Sequence, residues 1–169
     1  MIYPIVKFGN PVLEKPAEPV SNFDGELKKL VEDMFESMYA AHGVGLAAPQ
    51  VGIARRLAVI DITFKEDPDA KLVLINPEII HIEGRHTQNE GCLSIPEFRE
   101  PVMRPRKVTV RAQDIHGKFF EKTGEELLAR AFVHETDHLN GKLYIHHLSA
   151  LKRDMIKRKI RKLMKAGEW

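Results

Sequence analysis

The segment His134-Glu135-Thr136-Asp137-His138 constrains this chain more than any other part of its sequence. Two histidines four residues apart lie on one face of a helix, one turn apart, so the segment predicts a helix whose imidazoles can bind a single metal ion. Glu135, beside the first histidine, can reach a water bound to that ion. The remaining sequence must complete this site and supply its substrate cavity.

Cys92 is the leading candidate for a third ligand. A catalytic metal site usually has three protein ligands and leaves one position for water. Cys92 is the only cysteine in the chain, and a thiolate binds divalent metals strongly. A buried structural cysteine is the alternative. With a thiolate and two imidazoles, the metal would lower the pKa of its water to around 7, and Glu135 would accept the proton.

The bulk composition favours one ordinary folded domain over residues 1–169, with 43% apolar and 30% charged residues. A single cysteine excludes an internal disulfide, and no signal peptide or run of 18 apolar residues is visible. We therefore expect a cytoplasmic protein without membrane or DNA partners. The segment from Ser149 to Trp169 differs from the rest, with eight lysines and arginines against two acids.

The periodicity predicts three helices and several strands. An apolar stripe from Leu27 to Tyr39 indicates a helix that Asp24 or Ser21 caps and Gly43 ends. A second helix carries the histidine pair, starts at a capping box over 123–126 and ends at Gly141. Strands are expected over 57–62, 71–75, 78–83, 107–112 and 118–122, the last two forming a hairpin.

A third helix follows Ser149, which can cap it. Its predicted apolar side contains Leu151, Met155, Ile156, Ile160, Leu163 and Met164. These elements predict an α+β fold with mixed or antiparallel sheets packed around a central helix carrying the HExxH motif, between an N-terminal and a C-terminal helix.

Three stretches of the chain resemble the three motifs of the peptide deformylases, in the same order: 43–50 (GVGLAAPQ), 90–94 (EGCLS) and 134–141 (HETDHLNG). The resemblance covers essentially the whole chain. It implies removal of the formyl group from the N-terminal formyl-methionine of newly synthesised polypeptides, with release of formate. It also implies one divalent ion per chain, Fe²⁺ physiologically, although Zn²⁺, Ni²⁺ or Co²⁺ can occupy such a site.

The resemblance assigns a role to each motif residue. Cys92, His134 and His138 hold the metal, and Glu135 is the general acid and base. Gln50 and the backbone N–H of Leu93 stabilise the oxyanion. The predicted substrate-binding residues are Gly45 through its backbone, Val44, Glu90, Leu127 and Ala131 as pocket lining, and Arg99, for which a surface ion pair is an equal alternative.

Arg130 departs from the family pattern, because many relatives have an apolar residue or a cysteine near the methionine pocket. We expect its stem to extend over that pocket while the guanidinium stays in water. The departure affects the shape of the pocket and leaves the reaction unchanged.

The sequence allows an alternative function for the chain and two interpretations of its basic C-terminal segment. A metallopeptidase of the broader HExxH type is the alternative function, although such enzymes generally use a histidine or glutamate as third ligand; a purely structural metal site would not explain Glu135 and Gln50. The basic segment after Ser149 favours a solvated helix face, with contact to ribosomal RNA as the alternative.

Overall fold

The computed structural model describes all residues from Met1 to Trp169. It contains two antiparallel sheets and three α-helices, which confirms the expected α+β class. The larger sheet has the strand order β1-β2-β3-β6-β7, and β4 pairs with β5 alone. The elements are β1 (Gly45–Ala47), β2 (Leu57–Ile60), β3 (Leu72–Glu83), β4 (His86–Cys92), β5 (Ile95–Arg104), β6 (Lys107–Gln113), β7 (Phe119–Glu125), α1 (Gly25–Ala40), α2 (Leu127–Leu139) and α3 (Ala150–Lys165).

Helices cover both faces of the five-stranded sheet. All four residues of β2 are buried, as expected for a strand enclosed on two sides. Leu57 and Val59 belong to the apolar cluster around α1, whereas Ile60 belongs to the cluster that contains Phe132 of α2. Because successive strand residues point to opposite faces, α1 and α2 pack on opposite sides of the sheet. The histidine-bearing helix α2 therefore lies on the face of the sheet opposite to α1.

The N-terminal helix α1 begins as the sequence predicts, with the Asp24 side chain accepting a hydrogen bond from the Leu27 N–H at 3.0 Å. Its end differs from the prediction. The helix stops at Ala40, and the left-handed residue that follows is His42, with φ 59°, rather than Gly43. Gly43 does not end the helix but lies close to the Leu93 side chain, because a Cβ on Gly43 would lie 2.8 Å from Leu93 Cδ1.

The strands differ from the predicted pattern in three respects. The segments expected over 71–75 and 78–83 form one strand, β3, with a register shift after Ile75 and a left-handed Asn76. Strand β2 ends at Ile60 rather than at residue 62. The hairpin β4–β5 was not predicted, because its polar composition hides the strand pattern; it nevertheless contains Cys92 as its last β4 residue.

The start of α2 corrects the predicted capping box. Residues 123–125 continue strand β7, and Glu126 precedes the helix with φ 53° and without a side-chain capping bond. The Glu126 N–H bonds to the Arg106 carbonyl, which ties the chain to β6 at this point. The other end is as predicted: Gly141, with φ 77°, follows the last turn.

The last helix begins as predicted, because the Ser149 hydroxyl accepts a hydrogen bond from the Lys152 N–H at 3.2 Å. Only part of its apolar side is covered. Ile156 and Ile160 are buried against the segment that contains Tyr144, whereas three residues are exposed: Leu151, Met155 and Met164. None of the three helices combines the length and apolar content of a membrane span.

Candidate metal centre

The two imidazoles of α2 face each other at the predicted spacing. The Nε2 atoms of His134 and His138 are 3.2 Å apart, and both rings are largely buried. The second ring nitrogen of His134 lies 2.7 Å from Glu90. His138 Nδ1 is buried without a hydrogen-bond partner.

Cys92 reaches the histidine pair from the end of β4. Its sulfur lies 3.4 Å from His138 Nε2. A register shift between Gly91 and Cys92 interrupts the pairing with β5, and Cys92 pairs instead with Ile95 across a tight turn. Such irregularities commonly turn a side chain towards a functional site.

The three side chains fit a metal ion. One ligand atom from each of Cys92, His134 and His138 lies within 4.8 Å of the others. A tetrahedral ion with metal–nitrogen and metal–sulfur bonds of about 2.0 and 2.3 Å would separate its ligand atoms by roughly 3.3–3.5 Å, close to the measured 3.2 and 3.4 Å. No fourth histidine, cysteine or acidic residue joins the group, which leaves one position for water or substrate.

The pKa values of the two imidazoles are shifted in opposite directions. Burial, followed by the charge of His134, lowers the pKa of His138 well below its usual value. Burial alone would also lower the pKa of His134, but hydrogen bonds with Cys92 and Glu90 and the charge of Glu135 raise it well above its usual value. Because ligating imidazoles are neutral, His134 would bind an ion in its neutral form.

Glu90 is a buried carboxylate that accepts hydrogen bonds from several charged side chains next to the three candidate ligands. It accepts hydrogen bonds from Arg104 Nη2 at 2.6 Å, from Arg130 Nη1 at 2.7 Å and from His134. Burial would raise its pKa, but the bonds from His134 and Arg104 outweigh burial and hold the pKa far below the usual value. Glu90 therefore stays ionised, and its charge favours the Nδ1–H tautomer of His134, with Nε2 free for the metal.

Arg104 extends this network to the protein surface. Its Nη1 donates to Asp137 at 2.9 Å, and Asp137 also lies 2.8 Å from His147 Nε2. Burial would raise the pKa of Asp137, but its bonds with His147 and Arg104 lower it. The acidic residue inside the HExxH motif thus orients Arg104, which in turn orients Glu90.

Glu135 lies in the cavity beside the cluster as an unpaired carboxyl group. It is buried, and its Oε1 has no hydrogen-bond partner. Burial raises the pKa of Glu135 to about 7. A carboxyl group with this pKa can both accept and return a proton near neutral pH. Gly45 provides its space, since a Cβ on that residue would lie 2.5 Å from Glu135 Oε2.

Gln50 is held with its amide nitrogen towards the cluster. Its Oε1 accepts the Ala47 N–H at 3.0 Å, which fixes the orientation of the amide. Its Nε2 donates to the buried Ser94 hydroxyl at 3.2 Å and lies 3.5 Å from Cys92 Sγ. The amide nitrogen therefore faces both Ser94 Oγ and the sulfur of the candidate ligand Cys92.

The predicted substrate-binding residues all line one cavity of about 550 Å³. The cavity also contains Cys92, His134, Glu135 and Gln50, whereas His138 is buried behind them. Arg99 lies at its side and donates to the Asn89 carbonyl at 3.2 Å rather than joining an ion pair. These predicted substrate-binding residues are Val44, Gly45, Glu90, Arg99, Leu127 and Ala131, and the predicted oxyanion donor Leu93 lines the same cavity.

Sequence reasoning missed several residues of this site and misplaced one. The predicted solvent-exposed guanidinium of Arg130 is wrong, because the residue is buried and bonded to Glu90. Arg104, Asp137 and Ser94 were not predicted. One signal was available for Arg104. It lies two residues after the apolar Val102 on β5, so both side chains point to the same, buried face of the strand.

The fold and the cluster define a class of protein: an α+β chain with antiparallel sheets, whose central helix and an adjoining hairpin together form a candidate metal centre. The family model for polypeptide deformylase matches residues 2–154. A peptide deformylase of Acidobacterium capsulatum is 64% identical over 169 residues, covering 100% of this chain and 99% of the relative.

Solved structures agree with the sequence matches. The crystal structure of a peptide deformylase from Legionella pneumophila has a TM-score of 0.91 at 47% identity, covering 99% of this chain and 98% of that one. The peptide deformylase from Thermus thermophilus has a TM-score of 0.88 at 41% identity, covering 96% and 95%. The chain belongs to the peptide deformylase family, whose members are metal-dependent enzymes.

Proposed function

We propose that this enzyme removes the N-formyl group from the N-terminal formyl-methionine of newly synthesised polypeptides and releases formate. One observation carries the proposal: three candidate metal ligands adjoin a cavity that is also lined by an unpaired carboxyl group, Glu135, and an amide donor, Gln50. The names of the relatives give the reaction. We further propose that residues 1–169 act as one catalytic domain.

Cys92, His134 and His138 would hold the ion. When bound, a divalent ion supplies Lewis acidity, which lowers the pKa of a coordinated water to about 7. We expect Fe²⁺ in the cell, on the family resemblance. A thiolate with two imidazoles intrinsically favours Zn²⁺ over Fe²⁺, so occupancy depends on metal supply.

Glu135 moves the proton of the reaction. It accepts the proton of the attacking water as the water oxygen bonds to the formyl carbon. It then delivers that proton to the amide nitrogen as the carbon–nitrogen bond breaks, giving formate and a free amine. Its buried carboxyl group, which has no hydrogen-bond partner on Oε1, is free to serve in both steps.

Gln50 and the Leu93 N–H stabilise the negative charge that develops on the formyl oxygen. The Gln50 amide is preoriented by Ala47 and Ser94, so little reorganisation is needed when the charge appears. Removing one such donor typically costs about 10²–10³ in rate.

The peptide part of the substrate binds as an added strand. Strand β1 is the outermost strand of its sheet, so its free edge can pair with an extended peptide beside Gly45. The first side chain of the substrate then lies against α2, where Ala131 and Leu127 are one and two turns before His134. This position beside the metal ligands is where we place the methionine pocket, with Val44 and Glu90 also lining it and Arg99 orienting the chain.

The deciding experiment compares a formylated Met-Ala peptide with its unformylated form on Co²⁺-loaded protein. Formate release from the first, without cleavage of either peptide bond, supports the proposal. Cleavage of an internal peptide bond would favour a metallopeptidase. If neither peptide is turned over, a purely structural metal site would be favoured. The variant Glu135→Gln should retain the metal and lose about 10²–10⁴ in kcat; full turnover by this variant would contradict the role of Glu135.

We also propose that α3 contacts ribosomal RNA, where formylated chains emerge. Six of its basic residues are exposed, and the exposed Leu151 and Met155 lie on the same helix. Arg158→Glu with Lys162→Glu should weaken ribosome co-sedimentation and reduce its salt dependence. The matched double variant Lys118→Glu with Lys122→Glu, on the exposed hairpin β6–β7, should not. Equal binding by both double variants would contradict the proposal.

A further inference from the structure

Arg130 lies on α2 one turn before His134 and is only 6% exposed. Arginine is almost never buried without partners. Its Nη1 donates to Glu90 Oε1 at 2.7 Å and to the Val102 carbonyl at 3.2 Å, while its Nη2 donates to the His86 carbonyl at 3.3 Å. The guanidinium thus donates to three acceptors on two strands, β4 and β5, which a small apolar residue at this position could not do.

The contact with Glu90 completes the hydrogen bonding of a buried carboxylate. A carboxylate has about four acceptor positions. Arg104 occupies two of them, at 3.0 and 2.6 Å, and His134 occupies a third, at 2.7 Å. Arg130 takes the fourth, on the oxygen that does not face His134. Because every position is filled, the carboxylate cannot rotate away from His134 without breaking a charge-assisted bond.

The same contacts join the two elements that carry the ligands. Cys92 lies on the hairpin β4–β5, which shares no strand pairing with the five-stranded sheet, and both histidines lie on α2. Arg104 reaches from β5 to Asp137 of α2. Arg130 reaches in the opposite direction, from α2 to both strands of the hairpin. Two arginines therefore cross-link the hairpin and the helix beside the cluster.

We propose that Arg130 is a positioning residue of the metal centre, which fixes Glu90 against His134 and locks the hairpin carrying Cys92 to α2. The inference rests on the proposed metal site. Residues that orient a ligand from behind typically affect metal affinity by about 10–100-fold. Arg130 also lines the cavity, so it adjoins the substrate space as well as the carboxylate behind His134.

The test measures Co²⁺ affinity by competition with a chelator, together with the visible absorption of bound Co²⁺. Arg130→Met keeps most of the stem and removes the guanidinium. We expect about 10–100-fold weaker Co²⁺ binding and an altered spectrum. Arg130→Lys keeps the charge, but a compact ammonium cannot span three acceptors, so its affinity should lie between those of the wild type and Arg130→Met.

Arg56→Met is the matched control. Arg56 donates to the Leu139 carbonyl at 3.0 Å and to Asn140 at the other end of α2, but does not contact Glu90. It should bind Co²⁺ like the wild type even where its melting temperature falls. Wild-type affinity and spectrum in Arg130→Met, or an equal loss in Arg56→Met, would overturn the inference. If Arg130→Met does not fold, wild-type binding by Arg130→Lys overturns it. Failure of the wild type to bind Co²⁺ would instead refute the proposed metal site.

Discussion

Gly45 allows a sharp prediction about the position of Glu135. A Cβ on Gly45 would lie 2.5 Å from Glu135 Oε2 and 3.0 Å from its Cδ, whereas ordinary contacts start at 3.4 Å. The backbone of Gly45 does not have a positive φ, so alanine fits the strand without strain. Since pairing with Ile60 holds Gly45 in place, Gly45→Ala should displace the Glu135 carboxylate by about 0.9 Å.

The size of the effect follows from this displacement. A misplacement of about 1 Å in an active site can cost about 10²-fold in rate, which corresponds to about 2.7 kcal/mol in the activation free energy. Because the carboxylate moves protons and is not a metal ligand, the loss should fall on kcat. Metal content and melting temperature should stay close to those of the wild type.

The assay is formate release from a formylated Met-Ala peptide, measured over a range of substrate concentrations. Gly25→Ala is the control, because the same change there meets no atom within 4 Å. In a Glu135→Gln background, Gly45→Ala should cause no further loss of kcat. A Gly45→Ala enzyme with more than a third of wild-type kcat would refute the reasoning. A raised KM that persists in the Glu135→Gln background would place the effect on substrate docking instead.

Three further predictions concern the oxyanion donor, the metal and the pH dependence of stability. Ser94→Ala removes the hydroxyl that accepts a hydrogen bond from Gln50, so the activation free energy should rise by about 1 kcal/mol and kcat should fall roughly fivefold. The same change should have no effect on kcat in a Gln50→Ala background. Additive losses in the double variant would contradict this coupling between Ser94 and Gln50. Removing the metal with a chelator should lower the melting temperature, because an ion binds only the folded arrangement of Cys92 and the two histidines; a melting temperature independent of Co²⁺ would argue against the site. Burial alone would raise the pKa of Asp61, but hydrogen bonds from Tyr39, Thr63 and Lys65 lower it to about 2. The folded-state pKa is thus below the unfolded one, so this stabilisation is present above about pH 4 and is lost as the pH falls to about 2. Asp61→Asn should therefore make the free energy of unfolding less dependent on pH in that window, and an unchanged slope would count against the assignment.

Local sequence signals predicted those parts of the fold that depend on local interactions. The apolar stripe and the Asp24 cap define α1, and the spacing of His134 and His138 defines the metal-facing side of α2. Each feature needs only the helical repeat and a capping side chain. The start of α2 was wrong because strand pairing with β6 extends β7 through residues that would otherwise form a capping box. A tertiary contact thus overrides a local preference.

The hairpin β4–β5 is a part of the fold that local sequence signals do not predict. Its strands carry glutamates and arginines where a half-buried strand normally carries apolar residues, so alternation gives no signal. The inward positions of Glu90 and Arg104 are charged because each is the partner of the other. Pairing between residues fourteen positions apart is visible only in the folded chain. For the same reason Arg130 was assigned to solvent, although its partners on β4 and β5 bury it.

The buried charges also explain how the two elements that carry the candidate ligands are held together. Glu90 and Asp137 face Arg104 and Arg130, so two negative and two positive groups balance each other. A network in which these ions are paired and hydrogen-bonded can remain buried, whereas removal of one member leaves an uncompensated charge. These contacts join the hairpin β4–β5 to α2 without involving the three candidate ligands themselves. This is why we expect metal removal to lower the melting temperature without unfolding the chain, unlike small domains that fold only around their metal.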